Sequence, residues 1–396
     1  MRNIVMSVIL HSLILCGCIT EYEATGIDEI AGILVVEGII TDDESVIVLS
    51  RSASLHHDDS KDMYAYRVPD AKVYIECDDG TQWKAEFHPN WDWGAGRGNG
   101  SRYTIENGKL NPDRRYRLKI VVETGGAPSL QDEYHSEFAC PIITPEIDSV
   151  FWTKKENGQP VNIHLATQAP DSMAQYYLWK YSEDWETRAK FTVQDDTLNP
   201  YICSKSSKSR EMLLGTTEKS EFGRLTEHIA EIHPSNDRLS ILYRMDVTQN
   251  AISKRSFNYY KNVKDNSAKT GGLFAHIPSE LRGNITCTTD SGRVVIGYIE
   301  VSSTTRKRMY IRHNEKNVYE EPLNTDCKMI LSSQLSWWQQ QQNDQEEYAF
   351  FSNEYLIVRR CLNCALNGGR SILELEDWLN QYNMEGWYIR YFANLK

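Results

Sequence analysis

Ala71-Lys-Val-Tyr-Ile-Glu76, Asp78-Asp79-Gly80 and Thr81-Gln-Trp-Lys-Ala-Glu-Phe87 read as strand, turn and strand, and they decide the fold class of this chain. Val73 and Ile75 alternate with Lys72, Tyr74 and Glu76, so one side of the segment is apolar and the other polar. That period of two marks a half-buried strand. Two aspartates and a glycine supply the turn chemistry between the arms. The same pattern precedes it. Ile33-Leu-Val-Val-Glu-Gly-Ile-Ile40 is a β-branched apolar run, Asp42-Asp43-Glu44 turns it, and Ser45-Val-Ile-Val-Leu-Ser50 returns. Tyr103–Ile105, Tyr116–Val122 and Tyr134–Phe138 continue the series, and no helical period interrupts it. Short strands at regular spacing predict an immunoglobulin-like or transthyretin-like β-sandwich over residues 31–142.

Cys140-Pro-Ile-Ile-Thr-Pro145 brackets a short extended link with two prolines, which places a boundary there. Residues 143–396 are expected to form a larger β-rich domain. Its strands are 147–152, 161–165 and 176–181, then 238–247 paired hairpin-like with 294–301, then 308–312. Three helices are expected. Ser253 caps one over 253–264, with an apolar stripe through Phe257, Tyr260 and Val263. The others are 330–342 and 372–382, the last opened by a Ser371/Glu374 capping box. The chain is therefore expected to be mainly β.

The N-terminus carries an address. Arg2 precedes a short apolar run over Ile4–Leu15, too short to span a bilayer, and Leu15-Cys16-Gly17-Cys18 follows. This order matches a lipobox, so residues 1–17 read as a lipoprotein signal peptide and Cys18 as the lipidated N-terminus, with 18–30 as a tether. Glu21 and Glu23 resemble acidic tags that send some lipoproteins to the outer face. The expected location is the outer membrane, lipid-anchored and exposed at the cell surface. With 43 basic against 55 acidic residues the net charge is −12, which argues against nucleic-acid binding and against a polybasic grip on anionic lipid. The expected membrane tie is the lipid itself.

The motifs give little chemistry. Cys77, Cys140, Cys203, Cys287, Cys327, Cys361 and Cys364 follow the signal, an odd number that leaves at least one thiol free or paired between chains. Cys361-Leu-Asn-Cys364 is the close pair. Its surroundings are turn-forming, which favours a structural disulfide over a metal or redox site. His56-His57-Asp58-Asp59 reads as a solvated loop, because neighbouring residues on extended chain point opposite ways. His228 and His233 lie five apart, not the four that a zinc-protease helix requires. Gly94-Ala-Gly-Arg-Gly-Asn-Gly100 lacks the Lys-Ser/Thr of a phosphate loop. Trp91 and Trp93 flank it. They form either a contact site for a ligand or partner, or a lid over the end of the sandwich core. Tyr176, Tyr177, Trp179, Tyr181 and Trp185 are strand residues expected mainly in the core. No catalytic residue, metal ligand or cofactor is assigned, and the chain is read as a non-enzyme. A surface glycan hydrolase remains an alternative, since carboxylate pairs are not recognisable from spacing.

Several of these stretches carry a family resemblance. Leu34-Val-Val-Glu-Gly-Ile-Ile-Thr-Asp42 with Leu49-Ser-Arg-Ser52 resembles the opening of a Bacteroidota outer-membrane lipoprotein family. The likeness continues through Pro145–Val150, Tyr176–Trp185, Arg238–Tyr243, Gly271–Phe274, Gly283-Asn-Ile285, Gly297-Tyr298 and Cys361–Cys364. That family is catalogued only as a domain of unknown function and is often encoded beside TonB-dependent transporters. It commonly closes with Pro-x-Phe-Trp after the cysteine pair, whereas here Glu376-Asp377-Trp378 begins a longer tail. The resemblance implies a TonB-dependent outer-membrane transporter as partner and an accessory role in ligand capture or capping. An adhesin or structural envelope protein is the rival reading. The ligand is not identified, and the family contributes no catalytic residues.

Overall fold

A computed structural model describes residues 32–52, 66–89, 100–123, 131–169, 174–189, 202–209, 211–269, 283–312, 318, 330–331, 348–350, 355–358, 361–362, 364 and 370–371. The signal, the tether with Cys18, the loop with Trp91 and Trp93, and the helix expected over 372–382 lie outside these residues.

The first unit begins with β1 (Leu34–Ile40), β2 (Asp43–Arg51) and β3 (Lys72–Cys77). The return arm of the hairpin that decides the fold is two strands, β4 (Gln82–Lys84) and β5 (Glu86–His88). β4 pairs with β3, while β5 pairs with β6 (Ser101–Gly108), so the chain changes sheets at Ala85. Such crossings make the corners of two-sheet packings. β7 (Tyr116–Glu123) and β8 (Gln131–Ser136) complete this part. Their inward residues alternate as expected: Ile47 and Leu49, Val73 and Ile75, Tyr103 and Ile105, Leu118 and Ile120 all fill one core. Burying each such side chain contributes roughly 1.5–3 kcal/mol.

The second unit opens with β9 (Ile147–Thr153), β10 (Val161–Gln168), β11 (Tyr176–Arg188), β12 (Ile202–Lys208), β13 (Leu213–Thr216), β14 (Arg224–Ile232) and β15 (Leu242–Ile252). The helix α1 (Lys254–Lys269) follows. The Ser253 hydroxyl accepts from the Ser256 N–H at 3.2 Å, which caps it. Glu300 accepts from the Ser253 N–H at 2.8 Å, the role a glutamate three residues into the helix plays in a capping box. Phe257 and Tyr260 pack with Tyr176, Leu178, Ile252 and Ile39.

Next come β16 (Ile285–Cys287), β17 (Val295–Gly297), β18 (Glu300–Val301) and β19 (Thr304–Arg312). The expected pairing of 238–247 with 294–301 does not occur. β17 and β18 lie parallel to β1, and β16 pairs with β8. Three late strands thus complete the first sandwich, with sheets β17-β1-β2-β6-β5 and β16-β8-β7-β3-β4. β15 pairs instead with β11 and β19. The short strands β20 (Ile330–Leu331), β21 (Tyr348–Phe350) and β22 (Tyr355–Val358) form a small sheet, and β23 (Arg370–Ser371) pairs with β12. The expected helix over 330–342 therefore has a strand at its first two residues; the rest lies outside the described residues.

In the second unit the sheet β14-β10-β9 faces β19-β15-β11-β12 across a second core. Ile163, Leu165 and Ile229 come from one side, and Tyr177, Trp179, Tyr243 and Met245 from the other. The aromatic strand residues Tyr177, Trp179 and Trp185 are in this core, and Tyr176 packs under α1.

Candidate functional site

Two faces of the second sandwich point away from its core. On the three-stranded sheet, register sets Phe151, His164 and His228 in one row across β9, β10 and β14. Phe151 stacks on His164 with centroids 5.4 Å apart, and His228 meets His164 edge-on at 5.5 Å. Partial burial, and then repulsion from His228, holds the His164 pKa below its ordinary value, so this imidazole is neutral at pH 7. The row is aromatic and partly open to water.

About 13 Å along β10, on the same side, stands Gln168. Its amide donates to the Phe222 carbonyl at 3.2 Å and accepts from the Arg224 guanidinium at 3.3 Å. Phe222 lies in the turn between β13 and β14 with φ 61° and ψ 19°, in the left-handed region. A bulky non-glycine residue there is a backbone outlier. The turn is fixed by Gly223, where a Cβ would come within 2.2 Å of the Ala169 carbonyl oxygen. Gly223 also accepts from the Ala169 N–H. Despite this strain, Phe222 is 78% exposed. Backbone outliers of this kind cluster at active sites, ligand clamps and switch regions.

The opposite face, on β19-β15-β11-β12, is charged. Asp184 is paired with Arg244 at 2.5 Å, and Asp246 with Arg308 at 2.6 Å. Glu186, one step beyond Asp184 on the same side of β11, is buried, and its Oε1 has no hydrogen-bond partner among the described residues. Burial pushes its pKa up to about 7. The sign follows. Between the ordinary carboxyl value near 4.5 and 7, the folded chain keeps a proton that the unfolded chain releases, so stability falls as pH rises through that window. Glu186→Gln is expected to flatten this slope and raise stability at pH 8 by about 2–3 kcal/mol. Urea unfolding of both proteins between pH 4.5 and 8 measures it, and a variant that keeps the wild-type slope rules Glu186 out as its source.

Of the residues expected from sequence to matter, Cys18, Trp91 and Trp93 lie outside the described residues, as do His56–Asp59 and most of the glycine-rich loop. Cys361 and Cys364 are both in disulfides but not with each other: Cys364 bonds Cys203 of β12, 161 residues earlier. The close pair is a junction between the chain's end and the second sandwich. Cys77, Cys140 and Cys287 are free thiols. His228 lies on a strand and His233 just beyond it, with no helix to align them. Among the described residues no group of three or more His, Cys, Asp or Glu could hold a metal ion. Sequence reasoning missed the Phe151–His164–His228 row, because it depends on register across three strands. Phe222 left one signal, a large aromatic beside glycine in Ser220-Glu-Phe-Gly223, where turn residues are usually small and polar.

No curated protein matches the chain. Residues 19–308 match the model of a family described as "Domain of unknown function (DUF4249)", a span holding every strand of the first sandwich, both facing sheets up to β19, and the Phe222 turn; the chain belongs to that family.

Proposed function

We propose that this protein is a lipid-anchored lipoprotein of the outer-membrane surface that acts, without catalysis, as an accessory subunit of a TonB-dependent nutrient transporter. The lipobox ending at Cys18 and the resemblance to lipoproteins encoded beside such transporters support the address and the partner class. The observation that carries a binding role is Phe222: a large ring held in solvent by a strained turn, on the same side of β10 as the Phe151–His164–His228 row and about 13 Å along the strand from it. Exposed aromatics of this kind are typical contact anchors.

The test is capture of the tagged protein from envelopes in mild detergent, followed by identification of what comes with it. Wild type is expected to bring down a TonB-dependent β-barrel. Phe222→Gly removes the ring and relaxes the turn, so it is expected to bind the barrel at least about tenfold more weakly while gaining about 1 kcal/mol of stability. Cys18→Ala should fold normally and leave the membrane fraction. Recovery of no barrel by wild type, or equal recovery by Phe222→Gly, overturns the reading.

A further inference from the structure

On the charged face of the second sandwich Asp184 and Asp246 are each paired with an arginine, while one row holds two cations that are not paired among the described residues. Across β11, β15 and β19 the register aligns Lys180 with Thr248 and Thr248 with Arg306, so all three side chains leave the same side of the sheet. Lys180 and Arg306 are two strands apart, about 10 Å between backbones. Arg306 is exposed and Thr248 between them is half-buried, while Lys180 is exposed as a residue but carries its amine among protein atoms that desolvate it. Among the described residues neither cation makes a hydrogen bond or an ion pair.

The neighbouring rows differ. On one side are Leu178, Asn250 and Thr304: Leu178 is packed under α1, and the Asn250 amide donates to Thr304 Oγ1 at 2.7 Å. On the other are Ser182, Asp246 and Arg308, where Asp246 is already held by Arg308 at 2.6 Å and by Arg244 at 3.4 Å. Asp246 therefore has two cations of its own and is not available to Lys180 or Arg306. The acid acting on Lys180 is Glu37 of β1, from the first sandwich and outside salt-bridge distance. Lys180 thus lies where the two units approach each other.

We infer that Lys180, Thr248 and Arg306 form a seat for an oxyanion, a carboxylate or phosphate group of a small ligand. Lysine supplies a point charge, arginine a planar fork that fits two oxygens, and the threonine hydroxyl a donor between them. The surrounding protein lowers the pKa of the Lys180 amine, and Glu37 only partly offsets this, so the ammonium lacks the anion that would stabilise it. The chain carries a net charge of −12, so two cations on one row with no carboxylate at salt-bridge distance among the described residues are a local exception to a repelling field. The inference concerns the opposite face from Phe222 and does not depend on the transporter reading.

Calorimetric titration of the full-length protein with citrate and with inorganic phosphate, at low ionic strength, tests it. The two probes separate a carboxylate seat from a phosphate seat. At least one is expected to bind, and Lys180→Gln and Arg306→Gln should each weaken it about tenfold or more. Lys307→Gln changes the same net charge on the other side of β19 and should stay within about twofold. The bound probe should also protect Lys180 from an acylating reagent. Absence of binding by both probes up to about 10 mM overturns the seat. Equal loss in Lys307→Gln overturns it too, because that outcome is general charge attraction.

Discussion

Gly283→Ala is expected to unfold or nearly unfold the first sandwich, at a cost on the order of 4 kcal/mol. A Cβ at this position would lie 1.4 Å from the Gly297 carbonyl oxygen, about a covalent bond length, so the two backbone segments must separate. Separation also breaks a paired contact next door. The Asn284 amide donates to the Ile299 carbonyl and accepts from the Ile299 N–H, both at 2.8 Å, in a buried setting where lost partners are costly. Gly297, at φ 153°, is itself pressed on β1, since its Cβ would meet the Val36 carbonyl oxygen at 2.3 Å. These glycines seat β16, β17 and β18 against β8 and β1. Gly292→Ala is the control: it would meet only the Asp290 carboxylate at 3.3 Å and should change stability by no more than about 0.5 kcal/mol. Urea unfolding followed by tryptophan fluorescence and circular dichroism compares them. Wild-type stability in Gly283→Ala would mean that residues 283–301 do not dock on the first sandwich.

Loss of the Cys203–Cys364 disulfide is expected to be of similar size. The bond closes a separation of 161 residues, and chain entropy alone assigns a loop of that length about 5 kcal/mol, an upper figure that residual structure in the unfolded chain reduces. Both sulfurs are fully buried beside Ala189, so the paired change Cys203→Ala and Cys364→Ala keeps the surroundings apolar. That variant is expected to unfold at lower urea, and its β12 edge to lose the pairing with β23 first. Non-reducing peptide mapping should show a cross-link joining the peptides of Cys203 and Cys364. A cross-link between Cys361 and Cys364, or an unchanged urea midpoint in the double variant, contradicts this.

Both results concern long-range partners, and there the sequence was least informative. The local pattern was legible wherever one side of a strand faces a core. Val73/Ile75, Tyr103/Ile105 and Leu118/Ile120 alternate because a period of two puts every second residue inside. The helix after Ser253 was legible too, since its cap and stripe lie within a few residues of each other. Short strands are less visible. Ile285–Cys287, Val295–Gly297 and Glu300–Val301 run two or three residues each, too few to show a period, and the pairing of the last two with β1 is parallel across more than 250 residues. The return arm at Thr81–Phe87 read as one strand because Ala85 does not break the alternation, although the chain changes sheets there.

Composition, alternation and turn residues by themselves determined that the chain is mainly β, that it opens with a sandwich and that a capped helix follows Ser253. Each of these rests on neighbours in sequence. Only the tertiary structure decided that late strands close the first sandwich, that Cys364 reaches Cys203, and that Lys180, Thr248 and Arg306 share a row. The physical reason is that register and disulfide partners are fixed by which surfaces bury each other, and burial joins residues without regard to their separation along the chain.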